Sequence, residues 1–389
     1  MRILLMADVP AGLDSGAAGT EFQTVAALRR LGHEVDTVWA DSLPHRIKHG
    51  GLHYLLELPW AYRGTMLARM RGKDYEIIHV DQPHGYLAAR VLASRGNRPV
   101  FIHRSHGFEP LVARELARWK QVYPVQDSRS WCRVQASRGM DVLLARHSDA
   151  IAEYADGHIV SASDCARFMT EAYRVPPARI AVIPQAAPRQ YLESTAPVMT
   201  PARSKRLLYV GQFAYVKAPM ILAAVINRVV EMDREVTVTW VTSKSAHGSI
   251  RQLLSERGRS RVALLDWMPQ RELIDVYDGH GTFIFPSFFE GFGKVFLEAM
   301  ARGLCVVASD VGGAKDVICN GLDGILVPAG SIDAATQGCL GLFGSINKAR
   351  EMSQRAALRA RQFTWDRVAK ETVAFYERRL NAMARKDLR

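Results

Sequence analysis

A chain of 389 residues exceeds what one ordinary core organises and fits two domains of typical size. Its 48% hydrophobic content is normal for a globular protein, and its longest apolar runs fall far short of the ~20 residues that span a bilayer, so no spanning helix is expected. The formal charge of +12 implies an anionic partner, and residues 41–140 carry most of it, with 16 Lys and Arg against 8 Asp and Glu.

The opening MRILLMADVP has an apolar run that stops at Asp8, too short for a secretory signal, and reads as a first strand. From there, short runs rich in β-branched residues alternate with stretches of helical period, which predicts parallel sheets covered by helices on both faces. The pattern occurs twice. In the first half, strands are predicted at 2–6, 34–38, 76–80, 100–103, 158–161 and 180–183, with a helix over about 20–31 joining the first two. Within it, the stretch 45–73 interleaves Trp60, Tyr62 and leucines with Arg46, Lys48, Arg63, Arg69, Arg71 and Lys73. That pattern suits an anionic membrane surface, and equally a core helix with a solvated basic face.

PRQYLESTAPVMTPARSK, rich in Pro, Ser and Thr, marks a linker near 188–205. Second-half strands are predicted at 206–210, 236–241, 262–265, 282–285, 305–308 and 324–327, and a basic helical segment over 366–384 ends the chain. The domains read from this are 1–193, 194–365 and a closing segment 366–389. Cys132, Cys165, Cys305, Cys319 and Cys339 have neither paired spacing nor neighbouring histidines, which argues against disulfides and zinc and for a reducing cytoplasm.

Residues 285–330, FPSFFEGFGKVFLEAMARGLCVVASDVGGAKDVICNGLDGILVPAG, carry the most chemical information. After a strand, Pro286 and Ser287 turn the chain, and Gly291-Phe292-Gly293 leads into a helix running from Lys294 and Val295 to about Arg302. The start of such a helix presents free N–H groups and a positive dipole end, a seat for a diphosphate. Glu298 falls about one turn inside the helix and Glu290 outside its mouth. Two carboxylates repel a phosphate. They make sense if each accepts hydrogen bonds from hydroxyls at the two ends of a nucleotide sugar, one on the ribose and one on the hexose. An amphipathic helix with surface glutamates explains neither the glycines nor the ordered neighbours.

Glu290, Glu298, Ala299-Met300, Gly303, Val306-Val307 and Gly312-Gly313 together resemble the donor site of the retaining GT-B glycosyltransferases of family 4. The resemblance implies an α/β fold of two Rossmann-like doubly wound domains facing across a cleft, the N-terminal one binding acceptor and the C-terminal one the nucleotide-sugar donor. LYVGQFAYVK at 208–217 is similar to the family's strand-Gly-Arg-x4-Lys element, whose cations hold the donor diphosphate. Lys217 matches, but Gln212 stands for the Arg and Ala218 where a Gly often follows, so a bidentate phosphate contact is missing. The segment 263–279 resembles the part over the nucleotide base, with Met268 near it, and VTSKSAHG at 241–248 departs from the usual Gly-x-Gly.

In the first half, Ser15-Gly16 fills the place of a Gly-Gly, and Gly16 lets the backbone approach phosphate or acceptor. His106, in IHRSHGFE, matches the histidine that faces the donor sugar; His103 is read as structural. Segments 155–169 and 176–185 also resemble the family, with Gln185-Ala186 for the usual Asn-Gly, as does the closing QFTWDRVAKETVAFYERRL, which matches a final helix that crosses back to the first domain.

The resemblance implies sugar transfer with retention, by front-face attack of an acceptor hydroxyl as the nucleotide diphosphate leaves. Lys217 and the helix N-terminus would meet the leaving charge, while Glu290 and His106 hold an oxocarbenium-like sugar. Expected catalytic residues are therefore His106, Glu290 and Lys217. Expected donor-binding residues are Gly16, Gln212, Met268, Gly291, Phe292, Gly293, Lys294, Val295 and Glu298. No cofactor beyond a UDP-, GDP- or other nucleotide-sugar co-substrate is expected, and no metal, because there is no Asp-x-Asp pair and no clustered His or Cys.

The acceptor expected is a saccharide or lipid-linked saccharide of cell-envelope or surface polysaccharide and glycolipid synthesis. The location expected is cytoplasmic, peripheral on the inner face of the plasma membrane if the basic stretch docks there. Competing readings are a nucleotide-sugar epimerase of related fold, against which His106 weighs, and a weakened nucleotide-sugar-binding subunit, suggested by Gln212. No P-loop, zinc finger or RNP-like aromatic motif supports nucleic-acid binding.

Overall fold

The computed structural model describes residues 1–12, 16–124 and 131–387. Within them, two six-stranded sheets form, and every strand pairing is parallel. The first has the order β2-β1-β3-β4-β5-β6, from β1 (Arg2–Met6), β2 (Glu34–Val38), β3 (Ile77–Asp81), β4 (Val100–Ser105), β5 (Gly157–Val160) and β6 (Ile180–Val182). The second has the order β12-β11-β10-β7-β8-β9, from β7 (Arg206–Val210), β8 (Thr237–Val241), β9 (Val262–Leu265), β10 (Thr282–Phe285), β11 (Cys305–Ser309) and β12 (Ile325–Val327). All twelve predicted strands are present, with ends within two residues of those read from the sequence.

Central strands covered on both faces should read as continuous apolar runs. β10 and β11 do so, and with the Lys294–Ala301 helix they build a core of Phe283, Phe285, Phe296, Leu297, Val306 and Ala308. β3 (IIHVD) and β4 (VFIHRS) are just as buried yet carry His79, Asp81, His103 and Arg104. Buried polar groups in central strands break the local rule, and such breaks concentrate at functional sites.

The chain divides into two compact units, Met1–Ile183 with Asp366–Arg389, and Pro184–Trp365. The break therefore comes ten residues before the 193/194 boundary read from the sequence, and 188–205 is not a free linker. Tyr191 is fully buried and stacks edge-on against Tyr277 at 5.6 Å. The buried Arg302 guanidinium forks onto Asp278 at 2.7 and 2.8 Å and donates to the carbonyls of Tyr191, Ser194 and Thr195. One buried ring and one multidentate arginine outweigh the local Pro/Ser/Thr composition.

The closing helix, Trp365–Asp387, belongs to the first unit from Asp366 onward. Arg30 grips Asp366 at 2.7 Å, Phe375 packs where a Cβ on Gly157 would come within 2.8 Å of its ring, and the buried Tyr376 hydroxyl meets His79 Nδ1.

Ala218 precedes the Pro219–Met232 helix in the left-handed region, at φ 51° and ψ 54°, and is fully buried. An L-residue there costs about 1–2 kcal/mol that glycine avoids. Ala218→Gly is therefore expected to raise the thermal midpoint slightly, by less than about 1 kcal/mol of stability once the lost methyl burial and glycine's greater unfolded-state entropy are deducted. A lower midpoint in thermal denaturation would show that methyl packing outweighs the strain.

Candidate active site

In the second unit the carboxyl ends of β7 and β10 bring the donor-site candidates together. After β7 the chain passes Gln212 into a single 3-10 turn, Tyr215–Lys217, and after β10 it loops through Ser287 and Glu290 to the Lys294–Ala301 helix. The amide of Phe288 donates to the Val216 carbonyl at 2.9 Å and ties the loops together. Lys217 Nζ then stands 2.5 Å from Glu290 Oε1, which also accepts from Ser287 Oγ at 2.7 Å. The Glu290 side chain is 7% exposed and that of Lys217 21%, so the pair sits half out of water at the mouth of the helix. Nζ also lies 5.6 Å from the Phe285 ring centre, a cation–π contact.

Two glycines make this nesting possible. At Gly293, with φ 87°, a Cβ would lie 2.6 Å from the Phe285 ring; at Gly312, with φ 54°, it would lie 2.0 Å from the Glu290 carbonyl oxygen. Any side chain at Gly312 would push the Glu290 loop off its position.

Glu298 lies in the second turn of the helix, buried, with Oε2 accepting from the Tyr277 hydroxyl at 3.1 Å. Burial raises its pKa, opposed by the Lys294 ammonium and the Tyr277 hydrogen bond. The phenol of Tyr277, itself pushed well up by burial, stays a donor and fixes the carboxyl's direction. Lys294 and Val295 are half-buried in the first turn, and Gly291 is half-buried before it. The Phe292 side chain is a different matter, because its ring is buried in the core, 5.6 Å from that of Phe296. Its backbone is the part of this residue that faces away from the core. Met268 is half-buried and packs against the same core, and the Gln212 side chain is exposed.

In the first unit Gly16 opens the Gly16–Arg30 helix, while Ser15 lies outside the described residues. His106 follows the end of β4. Its Nε2 is 3.1 Å from Asp81 Oδ1, at the end of β3, and 3.2 Å from Glu21 Oε1, on the helix. Arg104 Nε is 3.4 Å from the same Glu21 oxygen, and its Nη1 donates to Thr24 Oγ1 at 3.1 Å. Burial lowers the His106 pKa, but Asp81 and Glu21 outweigh it and lift the value to about 9. Burial raises Glu21, but Arg104 and then His106 overcome it and bring it down to about 2. Asp81 is raised by burial against the pull of His106. His103 Nδ1 lies 3.2 Å from His158 Nδ1 in the fully buried sheet, a structural position.

Glu21, Asp81 and Arg104 were not among the sequence candidates. A signal was present, since a carboxylate ends the apolar run IIHV, a guanidinium sits inside FIHRS, and Glu21 shares a helical face with Val25 and Leu28. The sequence expectation concerned Asp-x-Asp pairs and clustered His or Cys, and the group the fold assembles is of another kind, two carboxylates and one histidine. Ligand atoms of Glu21, Asp81 and His106 all lie within 4.8 Å of one another. The imidazole Nε2 lies between the two carboxylates, with the Arg104 guanidinium beside Glu21.

Comparison with known proteins gives two family matches. The model described as Glycosyltransferase Family 4 matches residues 15–188, and that described as Glycosyl transferases group 1 matches 204–345. The D-inositol 3-phosphate glycosyltransferase of Corynebacterium urealyticum is 26% identical over 329 residues, covering 81% of this chain and 75% of that protein. Among solved structures, sucrose-phosphate synthase from Thermosynechococcus elongatus has a TM-score of 0.75 at 20% identity, covering 97% of this chain and 98% of its own. HepE from Anabaena, solved in complex with UDP and glucose, has a TM-score of 0.67 at 14% identity, covering 95% of this chain and 98% of its own. These two likenesses show the fold. With family matches in both halves and a two-sheet architecture shared over nearly the whole length, the chain belongs to the GT-B glycosyltransferases of family 4, group 1.

Proposed function

We propose that this glycosyltransferase is a retaining, metal-independent enzyme that moves a hexose from a nucleotide sugar to a saccharide or lipid-linked acceptor of the cell envelope. The observation that carries the reading is the Lys217–Glu290 pair at the mouth of the Lys294–Ala301 helix. Each member satisfies the other until a donor arrives. A diphosphate offers Lys217 a second anion, and the sugar offers Glu290 hydroxyl donors. As the bond to the diphosphate breaks, charge gathers on its oxygens beside Lys217 and the helix N-terminus, where fixed donors outperform water. In this reading Glu298, aimed by Tyr277, accepts from the ribose. Solved HepE holds UDP and glucose, which supports a nucleoside diphosphate as the common leaving group. The C. urealyticum relative acts, by its name, on an inositol phosphate. That supports an anionic acceptor and suits the basic surplus of residues 41–140.

The same surplus supports docking on an anionic membrane. The chain is helical from Gly50 to Gly72, and Leu52, Leu56 and Trp60, four apart, lie exposed along one row, Trp60 by 59%. Arg63 stacks over Trp60 at 5.3 Å, and Arg46, Lys48 and Arg71 of the same stretch are exposed, whereas Arg69 lies near Asp36 on the other side of the helix. Two further residues leave the pattern read from the sequence. Tyr62 is buried in the core, and Lys73 is held by Glu34 and Asp36 at 2.7 Å each. The inner face is thus core and the outer face an apolar row with a basic border, an interfacial arrangement. No helix among the described residues is long and apolar enough to cross a membrane. Flotation is expected to recover the protein with phosphatidylglycerol-containing vesicles and much less with neutral ones, and Leu56→Ser/Trp60→Ser is expected to weaken the recovery. Equal recovery with both lipids removes the docking face.

Lys217→Ala is expected to lower transfer roughly a hundredfold, about 3 kcal/mol of transition-state stabilisation, with EDTA present throughout. Gln212→Arg restores the missing guanidinium and is expected to tighten donor binding in calorimetry. Near-wild-type turnover in Lys217→Ala would place the diphosphate elsewhere.

The two glutamates are expected to separate kinetically. Glu298→Gln should chiefly raise the donor KM, because a ribose contact is the same in ground and transition states, and Glu290→Gln should chiefly lower kcat. Indistinguishable effects in steady-state kinetics would remove the division of roles.

A further inference from the structure

We propose that Glu21 and Asp81 are positioning residues that hold His106 as a permanent imidazolium, so that His106 enters transfer as a fixed cation and donor, never as a proton-accepting base. This rests on the reading of the chain as a retaining transferase with His106 in its reaction.

The geometry counts charges. Glu21 and Asp81 are fully buried on separate elements, the Gly16–Arg30 helix and the end of β3. Among the described residues, the ion-pair partners of Glu21 are Arg104 and His106, and that of Asp81 is His106. Two buried anions and one buried guanidinium leave one negative charge unanswered, and His106 Nε2 stands within 3.2 Å of both carboxylates. A neutral imidazole would leave Asp81 either an uncompensated buried charge or a protonated acid, whereas a cation at Nε2, within 3.2 Å of both carboxylates, answers the charge of the pair at once.

Among the described residues, nothing else facing the cluster supplies the missing cation. On β3, His79 is brought to about 4 by burial, and its Nδ1 meets the Tyr376 hydroxyl of the closing helix. On β4, His103 is brought to about 3 by burial. Tyr62, on the Leu58–Gly72 helix, donates to the Asp81 backbone carbonyl at 3.4 Å. Glu109, opening the Glu109–Val122 helix, and Asp8, after β1, are acids raised by burial. Both carboxylates thus depend on the His106 proton.

An imidazolium has no lone pair with which to take the acceptor's proton. In transfer, the acceptor oxygen bonds to the anomeric carbon while that carbon's bond to the diphosphate oxygen breaks, and the hydroxyl proton passes to a diphosphate oxygen. His106 keeps its own proton throughout.

The test is histidine-ring 15N NMR of the full chain from pH 6 to 8.5, with His106 identified by the signal lost in His106→Gln, beside kcat and donor KM over the same range. Both His106 ring nitrogens are expected to stay protonated through pH 8. Asp81→Asn, and Glu21→Gln independently, are expected to bring the midpoint toward the ordinary value near ~6.5, a loss of tenfold or more in proton affinity. In those variants kcat should fall as pH rises through the new midpoint, with donor KM unchanged, whereas wild-type kcat shows no such limb. A wild-type His106 that titrates below pH 7 overturns the proposal even if transfer is brisk, and needs no variant to fold. A His106 protonated through pH 8 in a chain that transfers from no nucleotide sugar sinks instead the functional reading on which its role in transfer rests.

Discussion

A carboxylate that leaves water must meet a cation or a hydrogen-bond donor, and the arrangement of each unit depends on that constraint. In the second unit Glu290 meets Lys217 from the end of another strand. In the first, Glu21 and Asp81 meet Arg104 and His106, which come from a third element. Arg302 and Asp278 do the same at the seam where the chain enters the second unit. In every case the partners are far apart in sequence, so each pair fastens one loop or strand end to another. The two loops sit where they do because Glu290, buried, and Lys217, half-buried, satisfy each other only where they touch.

How much of this was legible depended on the range of the physical signal. Strands announce themselves locally, through alternating runs of Val, Ile and Leu between turn residues, and all twelve were readable to within two residues. The Lys294–Ala301 helix was readable because Gly293 and the segment after it form one contiguous signature. Signals that need the fold were lost. Nothing near 188–205 says that Tyr191 will stack on Tyr277 or that Arg302 will reach three of its carbonyls, so a Pro/Ser/Thr-rich stretch passed for a linker. Phe292 lies among donor-site glycines in sequence, yet its ring belongs to the core. Glu21 and Asp81 are 60 residues apart, and only parallel pairing of β3 with β4, which sets Asp81 opposite Arg104, brings their cluster together.

The element around Lys217 shows how a fold absorbs departures from its family's pattern. Ala218 replaces a common glycine and still adopts the left-handed conformation that glycine would, so the turn is retained with strain stored in it. Gln212 exposes an uncharged side chain where the resemblance puts a guanidinium, which leaves Lys217 as the cation this loop holds against Glu290.

The closing helix has a consequence for how the molecule is made. The first unit is built from residues 1–183 and 366–389, and the buried hydroxyl that meets His79 belongs to Tyr376. Synthesis at roughly 5–20 residues per second places about 10–40 s between completion of β6 and the arrival of that tyrosine. During that interval the second unit has all its residues to hand before the first does. The amino-terminal unit must therefore wait on the ribosome with His79 lacking its phenol, and the unit that begins the chain is the last to be finished.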